Sequence, residues 1–220
     1  MTGHGRLPDF LAAILDLDGT LLDSTRLWHD IDVQFLKKRG IPAPPDYMEN
    51  IKTLNYEIGA AYTKKRFHLR ESEADIIAEW HAMALKQYRD EIGLKPHAAE
   101  FLAYLKKHGV TICAATASDE SLFLPALKRC GILPYFSNFT QTREVNRDKG
   151  APDVYIRAAF KNHVSVGECI VVEDTLKSIQ GARAGGFFTV GVADAGSADQ
   201  EDEIRKTADL FVQNLGELIA

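Results

Sequence analysis

The run Ala12-Ala13-Ile14-Leu15 is continuously apolar and stops at Asp16-Leu17-Asp18-Gly19-Thr20. An apolar run of strand length, without alternation, marks a strand buried on both faces, and such strands belong to parallel sheets covered by helices. Sheets of that kind place their chemistry just beyond the carboxyl ends of the strands. Asp16 and Asp18 would lie on one side of an extended path, because side chains alternate with period two. Two carboxylates there can hold a hard cation, attack an electrophile or carry a proton. A strand closing in a polar Asp-Gly turn accounts for the same five residues.

Similar runs recur at Leu11–Leu15, Val110–Ala115, Cys169–Val172 and Phe187–Val192, with a weaker one at Leu210–Val212. Helical segments separate most of them, which predicts an α/β fold: a Rossmann-like parallel sheet flanked by helices. Between the first two runs lie about ninety residues with no convincing strand, too long for a simple crossover. Leu27, Ile31 and Phe35 recur there at i, i+4, i+8, and Ile77, Trp80 and Ala84 at i, i+3, i+7, both amphipathic-helix patterns. The expectation is a core of residues 9–24 and 95–220 carrying an inserted all-helical domain at 25–94. The connections would fall near Leu22–Ser24 and Gly93–Pro96.

At 220 residues, 45% hydrophobic and 26% charged, the chain has the composition of a globular protein with a sizeable core. Its net charge of −5 argues against nucleic acid or an anionic membrane as the main partner. The basic clusters Lys37-Lys38-Arg39, Lys106-Lys107-His108 and Lys128-Arg129 each precede a glycine, Gly40, Gly109 and, one residue further on, Gly131. Cations in a last helical turn with glycine beyond it mark helix ends. The segment Gly181–Gly186 reads likewise as a helix end and turn. Cys113, Cys130 and Cys169 show no zinc-ligand spacing, so free thiols in a reducing compartment are expected. The polar start, Met1 to Pro8, lacks the apolar core of a signal peptide, and no apolar run is long enough to cross a bilayer. These features predict a cytoplasmic protein.

Three more candidates sit at or after later segments. Thr116-Ala117-Ser118 follows the second strand, Lys149 lies in a polar loop ahead of Pro152, and Glu173-Asp174 ends the strand at Cys169–Val172. Singly, a hydroxyl after a strand is commonly a helix cap, a loop lysine a solvated one, and a strand-end Asp an N-cap. Taken together and in order, they resemble the four motifs of the haloacid dehalogenase superfamily of phosphohydrolases. Asp16-Leu17-Asp18-Gly19-Thr20 corresponds to the first motif, Thr116 to the second, Lys149 to the third and Glu173-Asp174 to the fourth. The resemblance covers the chain after residue 8, and its helical-cap subgroup inserts a domain where the strandless segment falls.

The resemblance implies a division of labour. Asp16 would attack phosphorus and form an aspartyl-phosphate, splitting one difficult displacement into two easier ones. Asp18 would protonate the leaving alcohol and then deprotonate the hydrolytic water. Mg²⁺ would be held by the carboxylates of Asp16 and Asp174, the main-chain carbonyl of Asp18, and Glu173 as a further candidate. Thr116, Lys149 and the N–H groups of Leu17 and Ala117 would bind the phosphoryl oxygens, with Ser118 also at the substrate. Asp18 separates phosphate esters from carbon–halogen bonds, since halide leaves without a proton.

Substrate choice would fall to the inserted domain, with Trp28, His29, Lys52, Asn55, Tyr56, Lys64, Lys65 and Arg66 as candidates. Trp28, Trp80 and Tyr88 also stand at helix spacings typical of core, and Lys64-Lys65-Arg66 fits a solvated helix end. The Glu173-Asp174 pair and the Lys149 segment resemble β-phosphoglucomutase. The stretch Lys52-Thr53-Leu54-Asn55-Tyr56 departs from the Lys-Gly and arginine element with which that mutase grips a second phosphate. The expected activity is therefore a Mg²⁺-dependent phosphatase for a small phosphorylated metabolite, a sugar phosphate or phosphoglycolate-like ester. A phosphomutase is the alternative, and a non-catalytic phosphometabolite-binding protein comes third. The expected assembly is a monomer, with a dimer as the alternative.

Overall fold

A computed structural model describes residues 7–51 and 56–219, leaving aside the side chains of Glu49 and Tyr56. The chain forms two compact units, one built from the chain up to Thr25 and from Ile92 onward, the other from Arg26–Glu91.

The first unit is organised on a six-stranded sheet of β1 (Ala12–Leu15), β2 (Thr111–Thr116), β3 (Asn138–Gln141), β4 (Cys169–Glu173), β5 (Phe188–Val192) and β6 (Leu210–Val212). All neighbouring strands are parallel, in the order β3-β2-β1-β4-β5-β6. The strand order reverses between β1 and β4, so the carboxyl ends of those two strands flank the crevice where such sheets bind ligands. β1 is buried throughout, as its unbroken apolar sequence requires. Ala12 and Ile14 pack on one face with Cys113, Ala115 and Val171, under Val154, Tyr155, Ala158 and Ala159. The alanines on both sides of that contact let the helix lie close to the sheet.

Leu11 precedes β1 and is exposed, although its N–H donates to the Glu168 carbonyl. β3 has no counterpart among the expected strands: Asn-Phe-Thr-Gln is four residues with no apolar run, extended because it adds to β2 at the sheet edge.

Helices in the core unit are α5 (Ala98–Lys107), α6 (Glu120–Arg129), α7 (Asp153–Lys161), α8 (Leu176–Ala184) and α9 (Glu201–Thr207). The second unit holds α1 (Leu27–Lys38), α2 (Pro45–Ile51), α3 (Tyr56–Phe67) and α4 (Glu73–Asp90), and no strand among its described residues. The lysine- and arginine-rich segments end α1, α5 and α6, followed by Gly40, Gly109 and Gly131 at φ +69, +74 and +73. Such left-handed glycines let the chain leave a helix without a Cβ clash.

α4 buries Ile76, Trp80, Ala84 and Tyr88, so its apolar stripe runs through Ile76 and not Ile77. Trp80 meets the Phe35 ring edge-on at 5.6 Å. Trp28, which helix spacing would equally place in a core, is exposed. All three cysteines are free thiols, two of them buried. No helix among the described residues is long and apolar enough to cross a membrane.

The two crossings between the units run side by side in the core unit. Asp23 N–H donates to the Gly93 carbonyl at 3.0 Å, and Lys95 N–H to the Leu21 carbonyl at 2.9 Å. Leu22 and Leu94 form an antiparallel bridge between them.

Candidate active site

Asp16 extends β1 by one residue, its N–H donating to the Val172 carbonyl of β4 at 3.0 Å. Glu173 ends β4 and Asp174 follows it. Strands one place apart in the sheet therefore deliver three carboxylates to a single point. Each offers an oxygen within 4.8 Å of the others, and all three residues are buried. Gly19 makes this approach feasible: it adopts φ +87, and a Cβ there would collide with the Asp174 carboxylate.

Lys149 reaches the cluster from the loop before α7. Its ammonium donates to Asp16 Oδ1, and to Glu173 Oε1 at 2.8 Å. Burial favours its neutral form, but the Asp16 and Glu173 carboxylates outweigh that and hold its pKa above the usual lysine value. Burial pushes the Asp16 carboxyl well above the ordinary carboxylate range; Lys149 opposes this, and the Glu173, Asp174 and Asp18 carboxylates add to it. Asp174 is pushed up to about 7, by burial first and by Glu173 next. Three buried carboxyl groups face a single ammonium, so negative charge gathered at this all-oxygen site is only partly compensated. A hard divalent cation fits that donor set and would relieve the charge.

Three features missed in the sequence hold Lys149 and its partners. Tyr155 of α7, fully buried, donates its hydroxyl to Glu173 Oε1 at 2.9 Å. Asp148 accepts from the Gly150 N–H and from Lys177, both at 2.8 Å, which fixes the turn around Lys149. Gly181 of α8 lies against the Lys149 carbonyl so closely that any Cβ would collide with it. Gly181→Ala is therefore expected to push the Lys149 loop outward, which a crystal structure of the variant checks; a loop left in place contradicts it. In the sequence Gly181 reads only as the start of a helix end and turn, whereas it lies inside α8, and nothing in that segment points to Lys149.

Thr116 ends β2, buried, and its hydroxyl oxygen accepts from the Ser118 N–H at 3.0 Å. Gln141 of β3 donates to the Ser118 carbonyl at 2.9 Å and steadies the same loop. Leu17 is buried, with a carbonyl that accepts from Leu21 and Leu22, and Ala117 is exposed. Asp18 stands apart from the three-carboxylate cluster: Ser24 donates to its Oδ1 at 2.8 Å and Ser118 donates to its Oδ2. In the helical unit, His29 is exposed beside Asp30. Lys64 donates to the Glu71 carbonyl at 2.6 Å, and Arg66 pairs with Asp46 at 2.8 Å. Lys52 and Asn55, and the side chain of Tyr56, lie outside the described residues.

Residues 10–186 match the model of the haloacid dehalogenase-like hydrolases, and the chain belongs to that family. Hexitol phosphatase A of Escherichia coli is 28% identical over 81% of this chain and 81% of its own length. β-Phosphoglucomutase of Bacillus subtilis is 26% identical over 94% of both chains. A bifunctional riboflavin kinase/FMN phosphatase of Arabidopsis thaliana is 25% identical over 92% of this chain, which spans about half (52%) of that protein. The fold is shared with a putative β-phosphoglucomutase of Thermotoga maritima at a TM-score of 0.84, 20% identity, and 94% and 96% coverage of the two chains.

Proposed function

We propose that this protein is a cytoplasmic, Mg²⁺-dependent phosphatase that hydrolyses a small phosphorylated metabolite through an aspartyl-phosphate. The observation that carries the reading is the convergence of Asp16, Glu173, Asp174 and Lys149 at the carboxyl ends of β1 and β4. Phosphoryl transfer depends on positioning and electrostatics, and this is a charged, buried and mutually oriented set.

Asp16 Oδ attacks phosphorus while the ester P–O bond breaks, and the departing alkoxide takes a proton from Asp18. Water then attacks the aspartyl-phosphate, giving its proton to Asp18 and freeing Asp16 and inorganic phosphate. Asp18 enters the first step as the acid and leaves the second restored. Lys149, kept cationic by its neighbours, and the Thr116 hydroxyl bind phosphoryl oxygens, with the Leu17 and Ala117 N–H groups and Ser118 as further donors. Asp16 and Asp174, the Asp18 carbonyl, and Glu173 as an additional ligand, would hold Mg²⁺. That ion supplies neutralisation of the negative charge gathered between carboxylate and phosphate. The core unit thus handles the phosphoryl group, and substrate choice is assigned to the helical unit, including Lys52, Asn55 and Tyr56.

A sugar phosphate or a phosphoglycolate-like ester is the substrate class, supported by the hexitol phosphatase and β-phosphoglucomutase relatives. A panel of phosphorylated metabolites, assayed with Mg²⁺ and with chelator, is expected to yield phosphate from at least one class only when Mg²⁺ is present. Metal-independent release, or none, defeats the reading. The β-phosphoglucomutase relative, matched across nearly its whole length, supports a second reading as a phosphomutase. Positional transfer on a hexose 1-phosphate supplied with its bisphosphate, without net phosphate release, would decide for it. We further propose that the protein acts as a monomer, with neither nucleic acid nor membrane as partner.

A further inference from the structure

Asp194 lies two residues past the end of β5, and the Ala193 N–H still bonds to the Val212 carbonyl of β6 at 3.0 Å, so its place on the sheet is firm. Its side chain is 2% exposed. Within that burial it accepts from the Gly196 N–H at 2.7 Å, from Lys95 at 2.6 Å, and from the Thr25 hydroxyl at 2.6 and 2.8 Å through its two oxygens. Burial alone would raise its pKa, but the hydrogen bonds from Lys95, Thr25 and Gly196 outweigh that and hold it below the ordinary value. The Gly196 contact is an ordinary helix cap. The other two are not local: Thr25 is 169 residues away and Lys95 is 99.

Those two partners are the roots of the inserted helical unit, Thr25 the last core residue before it and Lys95 on the returning strand of chain. Thr25 also follows Ser24, whose hydroxyl holds Asp18 Oδ1. The same turn reaches the metal-binding candidates, since the Ser197 hydroxyl donates to the Asp174 carbonyl at 2.7 Å. A Cβ on Gly19 would sit 3.5 Å from the Asp194 carboxyl carbon.

We infer that Asp194 is a positioning residue for Asp18: by pinning Thr25 and Lys95 it sets where Ser24 stands, and through Ser24 where the Asp18 carboxyl stands. The inference rests on the phosphohydrolase reading of the site, within which Asp18 serves as the proton donor. In this role Asp194 acts only through its contacts with Thr25 and Lys95.

The test exploits leaving groups. An alkyl phosphate needs its departing oxygen protonated, whereas p-nitrophenyl phosphate releases a phenolate that needs no proton. The ratio kcat/KM runs only through the release of that group, so it isolates the step in which Asp18 is the acid. Asp194→Asn and Thr25→Val are each expected to lower kcat/KM on an alkyl phosphate at least about tenfold and on the aryl phosphate less than about twofold. In an Asp18→Asn background, Asp194→Asn is expected to change nothing further on the alkyl ester. Equal losses on both esters, or full additivity with Asp18→Asn, overturn the inference. Crystal structures of the two variants supply a readout without turnover: the Ser24 hydroxyl is expected to leave Asp18 in both. A retained Ser24–Asp18 bond overturns the inference even where turnover falls. Failure of the wild type to hydrolyse either ester would instead sink the phosphohydrolase reading, with the crystallographic comparison still deciding the role of Asp194.

Discussion

Asp16→Asn is expected to abolish turnover, with kcat falling at least about 10⁴-fold, while the protein stays folded. An amide oxygen cannot displace an alkoxide from phosphorus to give a stable acyl phosphate, so the covalent route closes. The neighbouring groups cannot substitute. Glu173 Oε1 is taken by Lys149 and Tyr155, and Asp18 is held by the two serines. Folding should survive because the site has three buried carboxylates to one ammonium, and removing one negative charge lessens their repulsion. The isosteric amide can still occupy the β1 terminus beside Val172.

The same substitution should weaken divalent-cation binding, since one of the three clustered carboxylates is lost. Melting curves with and without Mg²⁺ check this. The metal-free variant should melt no lower than the wild type, and the rise produced by Mg²⁺ should shrink. Phosphate release within tenfold of wild type would remove Asp16 from the nucleophile's role.

How much of this arrangement could be read in the chain depended on whether the physical cause was local. β1, β2, β4 and β5 advertise themselves as apolar runs because strands buried on both faces can be little else. Asp16, Asp18, Thr116, Lys149, Glu173 and Asp174 stood out because each falls just past such a run or in the loop leading to the next helix. β3 carried no such mark; its extended form comes from pairing with β2. Ile76 and Ile77 are equally apolar, and the choice between them was made by the packing of α1 and α3 on α4. Trp28 has helix spacing yet faces outward. Asp194, Tyr155 and Gly181 were invisible for one shared reason, that their partners Thr25, Glu173 and Lys149 lie far away in sequence. Signals that are properties of a segment were legible; contacts made by tertiary closure were not.

The helical unit contains a buried carboxylate of its own, and it sets the second large effect. Asp32 of α1 lies in the core of that unit, where Tyr47 donates to its Oδ1 at 3.1 Å. The Tyr47 and Thr63 hydroxyl oxygens lie 2.9 Å apart, and the Thr63 hydroxyl is 2.8 Å from the Gly59 carbonyl, so the buried carboxyl ends a short polar chain. Burial pushes the Asp32 carboxyl up to about 6, although the Tyr47 hydroxyl and nearby His29 both pull the other way. A carboxyl whose folded pKa exceeds its unfolded value contributes stability that is fully present below the unfolded pKa and is lost as pH rises through the folded one. Between pH of about 4 and about 6 the wild type should therefore lose on the order of 3 kcal/mol from this group, two pKa units at about 1.4 kcal/mol each. Asp32→Asn keeps an oxygen for Tyr47 and carries no charge at any pH. The variant should match the wild type near pH 4 and exceed it by up to about 3 kcal/mol at pH 7.5. The chain has two tryptophans, Trp28 and Trp80, and both belong to the helical unit. Urea unfolding followed by tryptophan fluorescence thus reports the unit in question. Parallel stability curves for the two proteins from pH 4.5 to 7.5 would mean that Asp32 is as well solvated in the folded unit as in the unfolded chain.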